Sequence, residues 1–346
     1  MQRTIARATT RTLTQRLPRT VLLPAALLAA AACDDATRPA PTAPVAPTAP
    51  AHGVNNGGNN RRILFVSNRD EPTATEIYSM NPDGSGVQRL TTSGGHDVDP
   101  AWSPDGKRVA FVSTRHDLSG EIYVMNADGT GVQRLTINVG EGGVDGSPTW
   151  SKDGKRIAFV SARDDLAGDI YTMNAADGSD VTHVTDFDGE DSDPAWSPDG
   201  KQIAFVSTRE SGGTGRTELY LVTLDTRQVT RLTTEGIVIR DPSWAPGGKQ
   251  IAFSTIGSLV VPTDGEPSVL SLDISVLNLD GNRLTRITGG PGGTDDSDPS
   301  WSPDGKLIAF VSRTPFNVDI ATMNADGSGV TYLTNPANDQ APAWNR

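Results

Sequence analysis

DPAWSPDGKRVAF, residues 99–111, decides the fold, because it returns in register along most of the chain. Its other complete copies are SPTWSKDGKRIAF (147–159), DPAWSPDGKQIAF (193–205), DPSWAPGGKQIAF (241–253) and DPSWSPDGKLIAF (298–310). A sixth copy, APAW at 341–344, breaks off after its tryptophan, and the missing continuation stands near the other end as RRILFVS, 61–67. All six tryptophans (Trp102, Trp150, Trp196, Trp244, Trp301 and Trp344) lie in this phrase. Five whole copies and two complementary halves spell a ring of six units, closed by pairing of the C-terminal strand with the N-terminal unit.

The repeats fill residues 61–346, about 48 per unit, which is the size of a four-stranded propeller blade. In the unit Asp99–Thr136, Pro100–Ser103 reads as a short strand. SPDGK is a turn with proline at its first corner and glycine where a positive φ is wanted. RVAFVS (108–113) and EIYVMN (121–126) read as strands, and ADGTG (127–131) turns the chain into the outer strand VQRLT, 132–136. The residue before each tryptophan is small (Ala101, Thr149, Ala195, Ser243, Ser300, Ala343), as crowding near a ring axis requires. The tryptophans are therefore expected to pack between blades rather than to hold a ligand. A composition of 36% hydrophobic residues with 36 glycines and 24 prolines suits many short strands and tight turns. The fold class expected is all-β, a six-bladed β-propeller of four-stranded blades.

The combined phrase, PxWSPDGKxIAF followed by DIYxMNADGSGxxRLT, resembles the WD-repeat-like, PD-type propeller repeat of the TolB family over 61–346. The resemblance implies a binding scaffold in the bacterial cell envelope, with a protein or peptide as partner. It carries less about function than about fold, since one repeat serves many roles. In that family a separate α/β domain precedes the propeller. Here the segment 34–60 is too short for one, so the propeller is expected without it, and membership of the Tol–Pal system is not carried over.

Residues 1–32 are of another kind. They hold Arg3, Arg7, Arg11, Arg16 and Arg19, no acidic residue, and then the apolar run Val21–Ala32. The run is too short to span a membrane and ends in small residues, as a secretory signal does. ALLAAAAC, ending at Cys33, resembles a bacterial lipoprotein signal, although Ala30 stands where that family usually has leucine. The resemblance implies that Cys33 becomes a lipidated N-terminus; the alternative is ordinary cleavage leaving an idle thiol. Residues 33–60, rich in Pro and Ala and then in Gly and Asn, read as a disordered tether. Without its signal the chain keeps 25 basic residues against 42 acidic ones, a charge of −17. Such acidity argues against nucleic acid and against any membrane contact beyond the anchor. A monomer facing the periplasm is expected.

Strand polarity puts the SPDGK and NADGSG turns on one face, short and nearly identical in every blade. The loops between second and third strands and the crossings between blades share the other face, and they vary. Function concentrates in variable loops on a rigid scaffold. Nine carboxylates precede the tryptophan strands on that face. Asp99, Asp193, Asp241 and Asp298 lie three residues before a tryptophan; Asp97, Asp145, Asp191, Asp296 and Asp339 lie five before. Such a ring could hold a hard cation such as Ca²⁺. It could equally pair with Arg69, Arg115, Arg163, Arg209 and Arg313, locking neighbouring blades, and the pairing reading is preferred. The longest variable loop, 254–271, carries the apolar stretch Leu259, Val260, Val261 and Pro262, a candidate partner contact; the alternative is that the loop folds back over the channel mouth.

Catalytic signatures are lacking. The chain has no GxSxG elbow and no HExxH, and its four histidines (His52, His96, His116, His183) are scattered. His96 and His116 could approach each other on the variable face. A non-catalytic envelope lipoprotein without a cofactor is the favoured reading. The alternative is a glycan- or Ca²⁺-binding propeller, related to lyases or hydrolases, that uses the channel-mouth acids.

Overall fold

The repeated phrases fold into four-stranded antiparallel sheets, one per unit. The structure, a computed structural model, describes residues 61–345 except 117, 138–142, 165–166, 188, 211, 213–214, 235–237, 257–270, 290–293, 315 and 335–337. Blade 1 begins with β1 (Ile63–Ser67), β2 (Glu76–Met80) and β3 (Gln88–Arg89). Blade 2 is β4 (Asp97–Trp102), β5 (Arg108–Ser113), β6 (Glu121–Asn126) and β7 (Gln133–Arg134). Blade 3 is β8 (Asp145–Trp150), β9 (Arg156–Ser161), β10 (Asp169–Asn174) and β11 (Thr182–His183). Blade 4 is β12 (Asp191–Trp196), β13 (Gln202–Ser207), β14 (Glu218–Thr223) and β15 (Val229–Arg231). Blade 5 is β16 (Ile239–Trp244), β17 (Gln250–Ile256), β18 (Leu272–Asn278) and β19 (Arg283–Arg286). Blade 6 is β20 (Asp295–Trp301), β21 (Leu307–Arg313), β22 (Val318–Asn324) and β23 (Thr331–Tyr332). The last strand, β24 (Asp339–Trp344), pairs with β1 and completes blade 1, with Ile63 opposite Trp344 and Ser67 opposite Asp339. The ring closes by strand exchange, as the split phrase implies.

The middle strands are apolar on both faces because each blade is packed between two neighbours. Five of the six residues of β5 are buried, and so are five of the six of β6. The core is six apolar layers, one at each blade junction, and every layer holds one tryptophan. Trp150, for example, packs with Ala110, Val112 and Val124 of blade 2. The tryptophans are thus scaffold.

Two boundaries differ from the sequence reading. The first strands start near Asp97 rather than at Pro100, and the outer strands shrink to two residues in most blades. The early start depends on a bulge. Asp99, Ser147, Asp193, Asp241, Asp298 and Ala341 all have φ between 50° and 55°, and the ladder slips at each of them. Aspartate tolerates the left-handed region better than most residues. The following proline, lacking an N–H, is harmless on the innermost strand, whose inner edge has no ladder partner.

Candidate functional site

The six first strands line an axial channel of about 250 Å³, walled by the Asp-Pro-small-Trp segments from Asp99 to Trp344. The bulge separates the nine carboxylates into two tiers with different chemistry.

The tier five residues before tryptophan turns into the blade. Asp97, Asp145, Asp191 and Asp339 are fully buried. They receive Arg115, Arg163, Arg209 and Arg69 at 2.8, 3.3, 2.7 and 2.8 Å. Each guanidinium also lies over aromatic rings of its own blade, Arg69 at 4.8 Å from Phe65 and 5.2 Å from Tyr78. The pairs join first and second strands of one blade and so do not bridge blades. The Arg69–Asp339 pair alone among them ties the two ends of the described ring together. Arg313 forms no such pair: it follows Ser312 directly, whereas the pairing arginines stand two residues after their serine. One residue of offset turns a strand side chain to the other face. Asp296 of that blade is held by Ser312 Oγ at 2.9 Å instead, and burial pushes its pKa up.

The tier three residues before tryptophan lines the lumen, and among the described residues it makes no ion pair with an arginine. Asp99 Oδ2 accepts from the Ser147 N–H of the next blade at 3.3 Å. Ser254 Oγ donates to Asp241 at 3.0 Å and accepts from the Asp298 N–H at 3.1 Å, again across a blade junction. This tier supplies the polar contacts between blades that the arginines do not. Its four aspartates are part-buried and line the channel. Burial, reinforced by the neighbouring carboxyls, pushes Asp193 to about 7 and Asp241 to about 8. Asp298 is pushed to about 6, and Asp99 upward by burial. Among the described residues, no three His, Cys, Asp or Glu side chains come together to hold a metal ion. At the tryptophan level the Trp150 and Trp244 indoles donate to the Ala101 and Ala195 carbonyls of the preceding blade at 3.0 and 3.1 Å. The indole N–H groups of Trp102, Trp196, Trp301 and Trp344 have no partner among the described residues.

A third set of acids escaped the sequence reading. Glu76, Glu121, Asp169, Glu218, Asp273 and Asp319 occupy equivalent buried places near the start of each third strand. In blade 2 the Glu121 carboxylate accepts from Thr136 Oγ1 at 2.6 Å and from Arg134 at 2.6 Å, while Thr136 Oγ1 accepts the Ile122 N–H at 2.9 Å. The clue lay in the RLT ending of the fourth strands, whose threonine follows the acid by 15 residues in this blade.

His96 and His116 do not meet. His96 Nδ1 is 3.2 Å from Thr75 Oγ1, and His116 Nδ1 is 2.7 Å from the Tyr123 hydroxyl. On the variable face Leu118 and Phe316 are 91% and 92% exposed, and Ile137 is exposed too. Cys33 and the stretch Leu259, Val260, Val261 and Pro262 lie outside the described residues.

Forty residues are 50% identical to the "Protein TolB homolog" of Chlorobium chlorochromatii, covering 12% of this chain and 9% of that protein. Fifty-one residues are 35% identical to "Dipeptidyl-peptidase 5" of Porphyromonas gingivalis, covering 15% of this chain and 8% of that protein. The chain therefore spans about a tenth of the length of the curated relatives it matches. The crystal structure of TolB from Acinetobacter baumannii superposes with a TM-score of 0.68 at 24% identity, covering 82% of this chain and 66% of that one. The family profile described as TolB beta propeller domain matches residues 45–142, 94–186, 139–262 and 180–345, together most of the chain. The chain belongs to the TolB beta propeller domain family.

Proposed function

We propose that this is a non-catalytic, exported lipoprotein of the bacterial cell envelope, anchored through Cys33, whose propeller binds a protein or peptide on its variable face. The observation that carries the reading is the pair of bare apolar tips, Leu118 and Phe316, on loops between second and third strands. A large side chain left fully in water gains nothing for the monomer, and apolar exposure of this kind marks contact surfaces. The opposite face carries the repeated, internally hydrogen-bonded turns, such as Ser103 Oγ to Asp105 at 2.6 Å, and its exposed apolar residues, such as Val132 at 41%, are less bare than Leu118 and Phe316. The TolB propeller repeat supports an envelope setting, and the acid-free, arginine-bearing N-terminus supports export.

The test is capture of a partner from detergent-solubilised envelope by the wild-type protein and by Leu118→Asp/Phe316→Asp. Capture that is lost in the double variant supports the reading. Equal capture by both, or none by either, refutes it. Cys33→Ser should move the protein from the membrane fraction to the soluble fraction; a protein that stays with the membrane contradicts the anchor.

The second reading, a cation in the lumen, draws on the four carboxyls there that make no ion pair with an arginine among the described residues. Thermal unfolding in Ca²⁺ against chelator discriminates, because specific binding at a hundredfold excess over Kd stabilises by about 2.7 kcal/mol.

A further inference from the structure

The blades serve as references for one another. In four of them the third-strand carboxylate meets an arginine of the fourth strand: Glu76–Arg89 at 2.9 Å, Glu121–Arg134 at 2.6 Å, Glu218–Arg231 at 3.0 Å and Asp273–Arg286 at 3.1 Å. In three of these the arginine Nε also donates to a backbone carbonyl two residues on, that of Thr91, Thr136 or Thr233, at 2.7, 2.7 and 2.6 Å. One edge of the guanidinium is thus read by a carboxylate and a carbonyl together, a geometry that an ammonium cannot reproduce. Blade 3 puts His183 there, 3.0 Å from Asp169.

Blade 6 keeps the third-strand acid, and among the described residues no cation meets it. Its ladder sets Tyr332 opposite Ala321, just as Arg89 stands opposite Tyr78 and Arg134 opposite Tyr123. Tyr332 is 54% exposed. One bond of the frame is kept, since the Ile320 N–H still donates to Thr334 Oγ1 at 2.9 Å, as Ile122 does to Thr136. Asp319 is only 8% exposed, and its Oδ1 has no partner among the described residues. Its neighbour in charge is another acid, Asp339, and burial together with that charge pushes its pKa up. A buried carboxylate without a partner is costly, and a cation delivered to it recovers that cost. Phe316, fully exposed, lies three residues before Asp319 on the variable face.

We propose that the blade-6 slot, formed by Asp319 and the Thr334 carbonyl, receives an arginine side chain of a protein partner. This rests on the protein-binding reading above and names what the partner brings: an arginine beside an apolar residue that covers Phe316.

The probe is Nα-acetyl-arginine amide, titrated into the full-length protein by saturation-transfer NMR, with Nα-acetyl-lysine amide as control. The arginine derivative should bind at least about tenfold more tightly than the lysine derivative. Asp319→Asn should abolish the preference. Tyr332→Arg should abolish it as well, by filling the slot from within, and should raise Tm. If Asp319→Asn fails to fold, Tyr332→Arg alone decides. No arginine preference in the wild type, or a preference that survives Tyr332→Arg, overturns the inference. Envelope capture that persists in Tyr332→Arg, when the wild type itself shows no arginine preference, removes the slot and leaves the protein-binding reading standing. An arginine preference without any capture counts against that reading and not against the slot.

Discussion

Asp339→Ala strikes the seam of the ring, and blade 2 supplies its control. Asp339 is fully buried and takes both of its contacts from Arg69 Nη2, at 3.0 and 2.8 Å, across the pairing of β24 with β1. Removing one partner of a buried pair costs about 3–5 kcal/mol. Arg69 keeps 25% of its side chain in solvent, so part of the stranded charge rehydrates and about 2–3 kcal/mol is the better expectation. With an unfolding entropy of about 2 cal/mol/K per residue, that loss lowers Tm by roughly 4–5 °C for a ring of this size. Asp97→Ala removes the same chemistry from Arg115, 2.8 Å away within blade 2, and should cost a similar amount. The two variants should differ in where the loss appears. At the seam it is available to local opening, so hydrogen exchange of the Ile63–Ser67 amides should accelerate by up to about 30- to 150-fold, at 1.4 kcal/mol per factor of ten. In Asp97→Ala those amides should exchange as in the wild type. Freed edges also pair with other chains, so the seam variant should form concentration-dependent oligomers. Equal exchange at Ile63–Ser67 in both variants would refute the view that the seam is a separately opening element.

The channel carboxyls give a pH prediction. Asp193, Asp241 and Asp298, pushed to about 7, 8 and 6, keep protons in the folded chain that the unfolded chain has released above about pH 4. The folded state therefore binds more protons, and stability should fall as pH rises from about 4 through 8. In chelator, urea unfolding at pH 5 and 8 should show the fall, and Asp241→Asn should flatten it; a wild-type curve that rises over this range contradicts the assignment. The tryptophans offer an internal comparison. Trp150→Phe loses a hydrogen bond to the Ala101 carbonyl that Trp196→Phe does not, so it should be about 1 kcal/mol more destabilising by denaturant titration. Equal losses would mean that the indole donor contributes nothing at that junction.

How much of this was legible in the sequence follows from the kind of contact involved. The ring was legible because each DPAWSPDGKRVAF copy carries its own turn chemistry and its own buried strand, and local signals survive in a linear string. The carboxylates were counted as one ring because Asp97 and Asp99, two residues apart, share a face of any regular strand. The bulge at Asp99, with φ 51°, breaks that period and sends Asp97 toward Arg115 and Asp99 into the lumen. Arg313 misled for the same reason, by one residue of offset. The recurring RLT ending hints at the Glu121–Thr136–Arg134 set, but the register of β6 on β7 is what joins its members, and register is set between strands rather than within one. Blade 6 stood out only once four filled slots were available to set beside the empty one.

The most direct test of the functional claim is site-specific photocrosslinking in cells. A photoreactive residue would replace Leu118 or Phe316 on the variable face, and Lys107 or Lys201, both exposed, on the turn face. The account predicts one shared protein adduct from Leu118 and Phe316 and none from the two lysine positions. Adducts from the lysine positions alone, or none from Leu118 and Phe316, would contradict it.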